Sequence, residues 1–343
     1  MKFTKEKTNI AKGVAICLMF VHHLFFFKNR LINGNTYFPI FPLFNAEVAL
    51  GDFGSICVYI FLFLSGYGMF LGYVKAQTSS IIYALKKLKD FYLTYWLYFI
   101  IFVPIGIIFF KNVTLWNSDE IRYLAEPHIL LKGFLGLSSR YNQEWWFVRL
   151  FIAILILSPI YIKLTEKNPI LIASISLLVF SYHSWLDNYI NIIININFCF
   201  WQISFALGML CAKINFFESK IIEKLDRSRT WVIVLILSLC FLIYPILKAN
   251  YEFLLVPFFI YASVGVISIL KLSQVFSYLG QYSFPLWLVH SFFCYYYFQN
   301  IIYALKWSPL VFLVLTSLSL LSVLGINIFR LRFLSAVAAF SRG

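Results

Sequence analysis

The feature that most constrains this chain is its series of long apolar segments. An α-helix needs about 20 residues to cross a bilayer, whereas a strand of a membrane barrel needs only about ten, with alternating polarity. The apolar segments here are unbroken and do not alternate. We therefore predict ten helical spans, at residues 10–27, 53–74, 91–110, 145–162, 169–182, 190–212, 230–247, 253–270, 282–299 and 308–329.

The composition excludes the other broad classes of protein. Hydrophobic residues make up 62% of the 343 residues and charged residues only 12%, whereas an ordinary soluble domain is about 25% charged. With 15 Gly and 10 Pro, the chain is neither collagen-like nor of low complexity. The predicted fold class is an all-α integral membrane protein, a single bundle of about ten transmembrane helices over residues 1–343.

The charges predict the orientation of this bundle. Ten spans place both termini on one side, and Lys and Arg mark the cytoplasmic side. Loops on the side of the termini carry 19 basic and 6 acidic residues, while the opposite loops carry 8 of each and Arg149 lies within a span. We predict that both termini are cytoplasmic. Because topology accounts for the whole net charge of +14, the basic balance does not indicate a nucleic-acid partner.

The sequence shows no pattern for a resident cofactor or metal. The six cysteines have no CxxC or CxxH spacing, and no Walker, GxGxxG or GxSxG motif occurs. We expect no bound cofactor, no metal and no disulfide framework, and we interpret the cysteines as packing residues.

Ionisable side chains within spans are costly unless they face protein or water, so they are the best functional candidates. In the first span, Lys12 precedes His23 by eleven residues, which turn a helix by about 1100° and rise by ~16 Å, so the two share a face. Lys12 would hold an anion and His23 would act as a base. His22 points about 100° away and is the weaker candidate. The alternatives are a snorkelling anchor for Lys12 and a structural hydrogen bond for the histidines.

The fourth span offers a second candidate group. Arg149 follows Glu144, Trp145 and Trp146 and keeps its charge at any ordinary pH. A functional Arg149 would bind an anionic ligand. In the structural alternative, Glu144 or a neighbouring helix neutralises it and the two tryptophans belong to the interfacial aromatic belt.

Two further places carry ionisable groups. His290 follows Pro285 in the ninth span, where the proline frees a backbone carbonyl and favours a kink towards a cavity; a structural hydrogen bond explains this histidine equally well. Lys86, Lys87 and Lys89 precede the third span, where they would bind phosphates as point charges or serve only as a topology signal.

Taken together and in order, these segments resemble the membrane acyltransferase 3 family, integral-membrane enzymes that acylate sugars of surface polysaccharides and other exported molecules. The resemblance spans most of the chain. The matching segments are Lys12 and 13–16 leading to His23, 61–67 ending in Ser-Gly-Tyr, 86–89 before Tyr95 and Trp96, Glu144 to Phe147, and 282–290 ending in Leu-x-His.

The chain departs from the family pattern at three points. Lys12 replaces the arginine of Arg-x10-His, and Tyr59 stands where the family often has an acidic residue. Asp90 falls on the second position of the family's Arg-x-x-Arg pair, although Lys86 and Lys89 keep the same spacing. Lysine still binds phosphate, but without the bidentate geometry of arginine.

The resemblance implies acetyl-CoA or another acyl-CoA as the co-substrate, taken from the cytoplasm. Lys12, Lys86, Lys87 and Lys89 would contact this donor. His23 would be the catalytic residue, either as a general base or as a covalent carrier of the acyl group, and both routes stay open.

The implied acceptor is a hydroxyl on a lipid-linked or exported glycan. Glu144, Trp145, Trp146, Arg149 and His290 would contact the acceptor or the transition state, with Arg149 stabilising the oxyanion or holding an acidic sugar and the tryptophans stacking on sugar faces. The implied location is a bacterial plasma membrane, with the lipid bilayer and polysaccharide assembly proteins as further partners.

Two rival functions use the same residues. A transporter or flippase for a glycan or lipid-linked intermediate would bind substrate or relay protons through the buried His and Arg without making a bond. An inactive scaffold in a polysaccharide assembly complex would tolerate the Lys and Tyr substitutions. Dependence on acyl-CoA separates the enzyme from both rivals.

Overall fold

The computed structural model describes residues 3–32, 34–40, 45–193, 196–226, 230–248 and 250–340. Over these residues the chain is helical and forms no strand beyond isolated bridges. The helices are α1 Lys5–Val21, α2 Ala46–Phe53, α3 Cys57–Ala76, α4 Ser80–Phe109, α5 Pro127–Phe134, α6 Trp146–Lys167, α7 Pro169–Ser181, α8 His183–Ile193, α9 Phe198–Lys213, α10 Lys220–Asp226, α11 Thr230–Leu247, α12 Val256–Ile269, α13 Ser273–Gln281, α14 Ser283–Ser291, α15 Gln299–Ile302 and α16 Ser308–Phe340.

The described residues include six helical segments that are long and apolar enough to cross a membrane. Side chains on α11, such as Leu242 and Ile246, are 70% and 79% exposed, which is typical of a lipid-facing surface. The chain is therefore a multi-pass membrane protein. The six segments are Lys5–Phe26, Ala46–Ala76, Ser80–Phe109, Gln143–Lys167, Thr230–Leu247 and Ser308–Arg332.

The other four predicted spans fall on shorter or bent helices, so the prediction of ten spans is confirmed for six. Helices α7 and α8 meet at an angle of 74° and together form at most one broken span. The segment predicted at 190–212 is divided between the end of α8 and α9. Asp187 of α8 accepts hydrogen bonds from the amides of Cys199 and Phe200 at 2.9 and 3.1 Å, and so caps α9 as a separate helix.

Contacts between rings show which helices run in the same direction. Tyr59 and Trp201, near the starts of α3 and α9, have centroids 4.8 Å apart, and towards the other ends Lys213 Nζ lies 5.9 Å from the ring of Phe70. These two helices are therefore parallel. Helix α6 joins them, because its start contacts the start of α9 through a Trp146–Trp201 pair at 5.6 Å.

Helices α1 and α4 run in the opposite direction. Phe3, before α1, contacts Tyr67, late in α3, at 5.4 Å, whereas Leu18 packs against Gly54, just before α3. In the same way, Phe91 of α4 contacts Phe151 of α6, while later in α4 the contacts move back to the start of α6. The bundle thus has two ends. We call the end where α1 finishes the His23 end, and the end where α1 begins the Lys12 end.

Glycines allow the central helices to touch. The α-carbon of Gly66 on α3 faces the backbone carbonyl of Phe205, and Gly208 on α9 faces that of Phe63, so that neither position has room for a methyl group. Small residues at such crossings let helix backbones approach closely in a membrane. This crossing holds α3 against α9 and so shapes the wall of the cavity described below.

The segment 110–145 covers the His23 end. Its short helix α5 is attached to α4 by hydrogen bonds from Tyr95 Oη to the carbonyl of Gly133 at 2.6 Å and from Trp96 Nε1 to that of Phe134 at 2.8 Å. Arg122 is buried inside the segment and donates to the carbonyl of Arg140 at 2.9 Å. The segment therefore delivers the residues before α6 to a defined position.

Substitution at the α3–α9 crossing tests this packing. We expect Gly66→Ala to destabilise the folded protein by about 1–3 kcal/mol, because the added methyl group would push the helices apart. Thermal unfolding of the purified protein in detergent measures the loss. Gly68→Ala is the matched control, because it makes the same change on the same helix with no atom within 4 Å. Equal melting temperatures for the two variants would contradict the close crossing.

Candidate active site

A cavity of 710 Å³ lies within the bundle and contains residues from both of its ends. Lys12 lies on its wall towards the Lys12 end, and His23, Arg30 and Glu144 lie on its wall at the His23 end. The structure thus brings Lys12 and His23 to one cavity, as expected from their spacing. A volume of this size is typical of a site for a small-molecule ligand or cofactor.

His23 lies on a π-helical turn, His22–Phe26, that directly follows α1. A second π-helical turn, Phe292–Tyr296, follows α14 and carries Tyr295 against it. Such wide turns are rare and are frequent at functional sites, because they redirect side chains without ending the helix. Here the two turns place the rings of His23 and Tyr295 in edge-to-face contact at 5.8 Å.

Hydrogen bonds to Tyr295 determine the tautomer of His23. The Tyr295 hydroxyl donates its one proton to the backbone carbonyl of His23 at 2.6 Å. Its oxygen lies 3.2 Å from His23 Nδ1 and therefore accepts a proton from that nitrogen. A neutral His23 then carries its proton on Nδ1. Its Nε2 has the free lone pair that a general base needs.

Glu144 faces His23 across the cavity. Its Oε2 lies 4.0 Å from His23 Nε2, too far for a direct hydrogen bond but close enough to stabilise a protonated imidazole. Asn142 accepts a hydrogen bond from the Glu144 amide at 3.0 Å and donates to Ser291 of α14 at 2.7 Å. The carboxylate is thereby tied to the helix that leads to Tyr295.

Arg30 neutralises Glu144 and was not among the residues singled out from the sequence. Its Nη1 donates to Glu144 Oε1 at 2.7 Å, and its guanidinium lies 4.0 Å from the ring centroid of Phe27. Burial by itself lowers the pKa of Arg30, but Glu144 and Tyr295 more than offset this and hold that pKa above its ordinary value. Arg30 therefore stays charged. Helical spacing could not have found Arg30, because the helix ends at Phe26 and Arg30 lies on a separate 3₁₀ turn, Lys28–Arg30.

His290 lies behind His23 and is not part of the cavity wall. The ring centroids of the two histidines are 4.9 Å apart, and His290 Nδ1 donates to the carbonyl of Trp287 at 2.7 Å. His290 is fully buried. It supports the His23 ring from behind, whereas the sequence predicted a contact with the acceptor or transition state.

Only some of the other predicted site residues reach the cavity. Trp146 lies on its wall. Trp145 is buried beside it and donates to the carbonyl of Leu288 at 3.1 Å, so it anchors α6 instead. Arg149 lies away from the cavity wall and donates to Ser139 Oγ at 3.4 Å.

Of the cations predicted to contact the donor, only some line the cavity. Lys12 is half-buried on the cavity wall, whereas Lys86, Lys87 and Lys89 are exposed on α4 and do not line it. Lys87 nevertheless lies close enough to Lys12 for electrostatic repulsion. Asp90, on the same helix, lies on the wall.

Comparison with known proteins decides the class of this site. A family model described as an acyltransferase domain matches residues 7–328, nearly the whole chain. The chain belongs to the acyltransferase 3 family. Comparisons with curated proteins and with solved structures find no match. The resemblance inferred from the sequence is confirmed, and the protein is a membrane acyltransferase.

The cavity wall of this acyltransferase also carries a carboxylate that sequence reasoning missed. Glu252 lies on the wall and is 4% exposed, and its Oε2 accepts a hydrogen bond from Tyr59 Oη at 3.2 Å. Tyr59 stands where the family often has an acidic residue. In this chain the carboxylate beside that position is Glu252, which belongs to the segment before α12. The 193 residues that separate the pair left no local signal.

Across the parts of the chain that the structure describes, no three His, Cys, Asp or Glu side chains are arranged to hold a metal ion. The cavity has cations towards both ends, at Lys12 and Arg30, and carboxylates at Asp90, Glu144 and Glu252. Of these cations, Arg30 is already paired with Glu144, so Lys12 is the better candidate contact for an anionic ligand.

Removing the Tyr295 hydroxyl tests the tautomer of His23. We expect Tyr295→Phe to lower kcat for acyl transfer by at least about tenfold, because Nδ1 loses its acceptor and the proton can move to Nε2. Tyr303→Phe is the control, since Tyr303 Oη makes the same kind of bond, to the carbonyl of Leu24 at 2.8 Å. Steady-state kinetics in detergent compares the two variants. Equal loss in both would show that the tyrosines only support the turn.

Proposed function

We propose that this acyltransferase moves an acyl group, in the simplest case acetyl, from cytoplasmic acyl-CoA to a hydroxyl of a surface or exported glycan. The observation that carries the proposal is the single cavity that contains both Lys12 and the His23–Glu144 pair. The Lys and Arg distribution predicts that the Lys12 end faces the cytoplasm. A donor that enters there and an acceptor that enters from the other side would meet at His23.

His23 is the proposed base. Its Nε2 takes the proton of the acceptor hydroxyl, and the oxygen attacks the thioester carbonyl carbon. A C–O bond forms, the C–S bond breaks, and the imidazolium returns the proton to the departing thiolate. The products are an O-acyl ester and free CoA thiol.

Covalent catalysis is the alternative route for the same residue. In that route Nε2 itself attacks the thioester and carries the acyl group until the acceptor hydroxyl removes it. An acylated His23 would then form from acyl-CoA alone, which intact-protein mass spectrometry after rapid quenching detects. A direct transfer would show no such adduct.

The remaining residues support either route. Glu144 stabilises the imidazolium that forms on His23, and Arg30 holds the carboxylate in place through the 2.7 Å contact. Lys12 binds the phosphates of CoA as a point charge. The rise of ~16 Å along α1 between Lys12 and His23 suits an extended molecule with its charges at one end and its thioester at the other. The exposed Lys86, Lys87 and Lys89 would draw the anionic donor to the opening.

Substitution of His23 tests the assignment of the base. We expect His23→Ala to remove acyl groups from the surface glycan while the protein still reaches the membrane, because Nε2 of His23 lies 4.0 Å from Glu144. His22 also lines the cavity, but its Nδ1 is bonded to the carbonyl of Gly51 at 2.7 Å. Mass spectrometry of glycans from cells with wild type, the variant or no copy measures this. His128→Ala, at an exposed histidine outside the cavity, is the control.

Two outcomes of that comparison would contradict the proposal. Normal acylation with His23→Ala would remove His23 from the mechanism. A change in the amount of glycan at the surface, with no acyl mass in any strain, would indicate transport and not transfer.

The donor assignment has its own test. We expect Lys12→Gln to raise the KM for acyl-CoA by about tenfold, which corresponds to about 1.4 kcal/mol. The KM for the matching acyl-pantetheine thioester, which lacks the nucleotide phosphates, should stay unchanged. Lys163→Gln is the control, because Lys163 is exposed on α6 and does not line the cavity. An equal rise for both thioesters would place Lys12 outside the phosphate site.

A further inference from the structure

An aromatic chamber opens beside the catalytic centre, formed by Tyr59, Trp146, Trp201 and Glu252. The ring centroids of Trp146 and Trp201 are 5.6 Å apart at an angle of 37°, and those of Tyr59 and Trp201 are 4.8 Å apart at 50°. All four side chains line the same cavity as His23. We call this group the side chamber.

The side chamber lies at the His23 end of the bundle. Tyr59, Trp146 and Trp201 lie within the first turn of the parallel helices α3, α6 and α9. Trp146 follows Glu144 by two residues, so the chamber adjoins the carboxylate that faces His23. Lys12 belongs to the opposite end, which separates the chamber from the proposed donor contact.

The chemistry of the side chamber fits a sugar better than a lipid chain. Flat indole and phenol faces pack well on the C–H face of a pyranose ring. Glu252 is 4% exposed, and a carboxylate buried in an apolar wall is costly unless polar groups bond to it. Tyr59 donates to Glu252 Oε2 at 3.2 Å, and carboxylate oxygens can each accept more than one hydrogen bond. A bound sugar would supply hydroxyl donors, whereas an alkyl chain would supply none.

The charges of the wall restrict the kind of sugar. Glu252 and Glu144 both place carboxyl groups on the cavity wall at the His23 end. The guanidinium of Arg30 is already paired with Glu144 at 2.7 Å. A uronic or sialic acid would bring a third carboxylate close to these two, and like charges in a poorly solvated cavity repel strongly. Arg149, the other cation of this region considered for an acidic sugar, is not on the cavity wall.

We propose that the side chamber is the acceptor subsite and that it takes an uncharged sugar ring. This inference rests on the proposed function, because it names the acceptor class for the same reaction. The ring stacks on Trp146 and Trp201 and donates hydroxyl protons to Glu252. The hydroxyl to be acylated points towards His23 Nε2.

Kinetics of Trp201 variants tests the location of the subsite. The acceptor is the unacylated surface glycan from cells that lack the gene, cut to oligosaccharides. Trp201→Leu should raise the KM for this acceptor by about tenfold, and by a larger factor than the KM for acyl-CoA. Trp201→Phe keeps an aromatic face and should restore most of the affinity. Trp185→Leu is the control, because Trp185 is 60% exposed on α8, outside the cavity.

The identity of the acylated residue tests the sugar class. Tandem mass spectrometry of glycan from wild-type cells should find the acyl group on a neutral sugar. Glu252→Gln should raise the acceptor KM by about tenfold, because a weaker acceptor replaces the carboxylate.

Each contrary result has a separate meaning. An acyl group on an acidic sugar overturns the assignment of the sugar class. An acceptor KM that does not respond to Trp201→Leu overturns the location of the subsite. In both cases the proposed function stands, whereas a glycan without any acyl mass in wild-type cells overturns the proposed function itself.

Discussion

The buried ion pair between Arg30 and Glu144 is the interaction on which the rest of the site depends. A carboxylate inside an apolar bundle keeps its charge only if a cation and hydrogen-bond donors hold it, and Arg30 does so at 2.7 Å. The segment 110–145 carries Glu144, and the 3₁₀ turn Lys28–Arg30, which follows the π-helical turn after α1, carries Arg30. Because Arg30 favours the ionised form of Glu144, an imidazolium formed on His23 would have a counter-charge 4.0 Å away.

The two π-helical turns explain how an imidazole is prepared for this task within a membrane helix. A regular continuation of α1 would have kept the carbonyl of His23 bonded within the helix. The wide turn instead leaves that carbonyl to Tyr295, whose one hydroxyl serves both the carbonyl, at 2.6 Å, and Nδ1, at 3.2 Å. Buried polar groups that satisfy each other in this way hold one geometry. In the proposed mechanism the arrangement would also separate the two substrates, because Lys12 lies at one end of the bundle and the side chamber at the other.

Among the predicted site residues that lie on the cavity wall, two have a shared position that follows from helical geometry. Lys12 and His23 share a face because eleven residues make about three turns, and both reach the cavity. Neighbours at the start of α6 could not be separated in this way. Trp146 faces the cavity and Trp145 packs against the carbonyl of Leu288, yet the two are identical in type and adjacent. Which of them faces inward depends on how α6 rotates against α14, and the local sequence does not record that rotation.

The sequence by itself determined the membrane setting, six of the ten spans predicted from it and the acyltransferase family. Bilayer thickness imposes a length on each apolar segment, and the family pattern is a matter of order along the chain. Only the tertiary structure decided which charges meet. Arg30 and Glu144 are 114 residues apart and Tyr59 and Glu252 are 193 residues apart, so their pairing has no local signal. It depends on close helix crossings such as that at Gly66, which bring distant helix ends to one cavity, and burial then requires each charge there to have a partner.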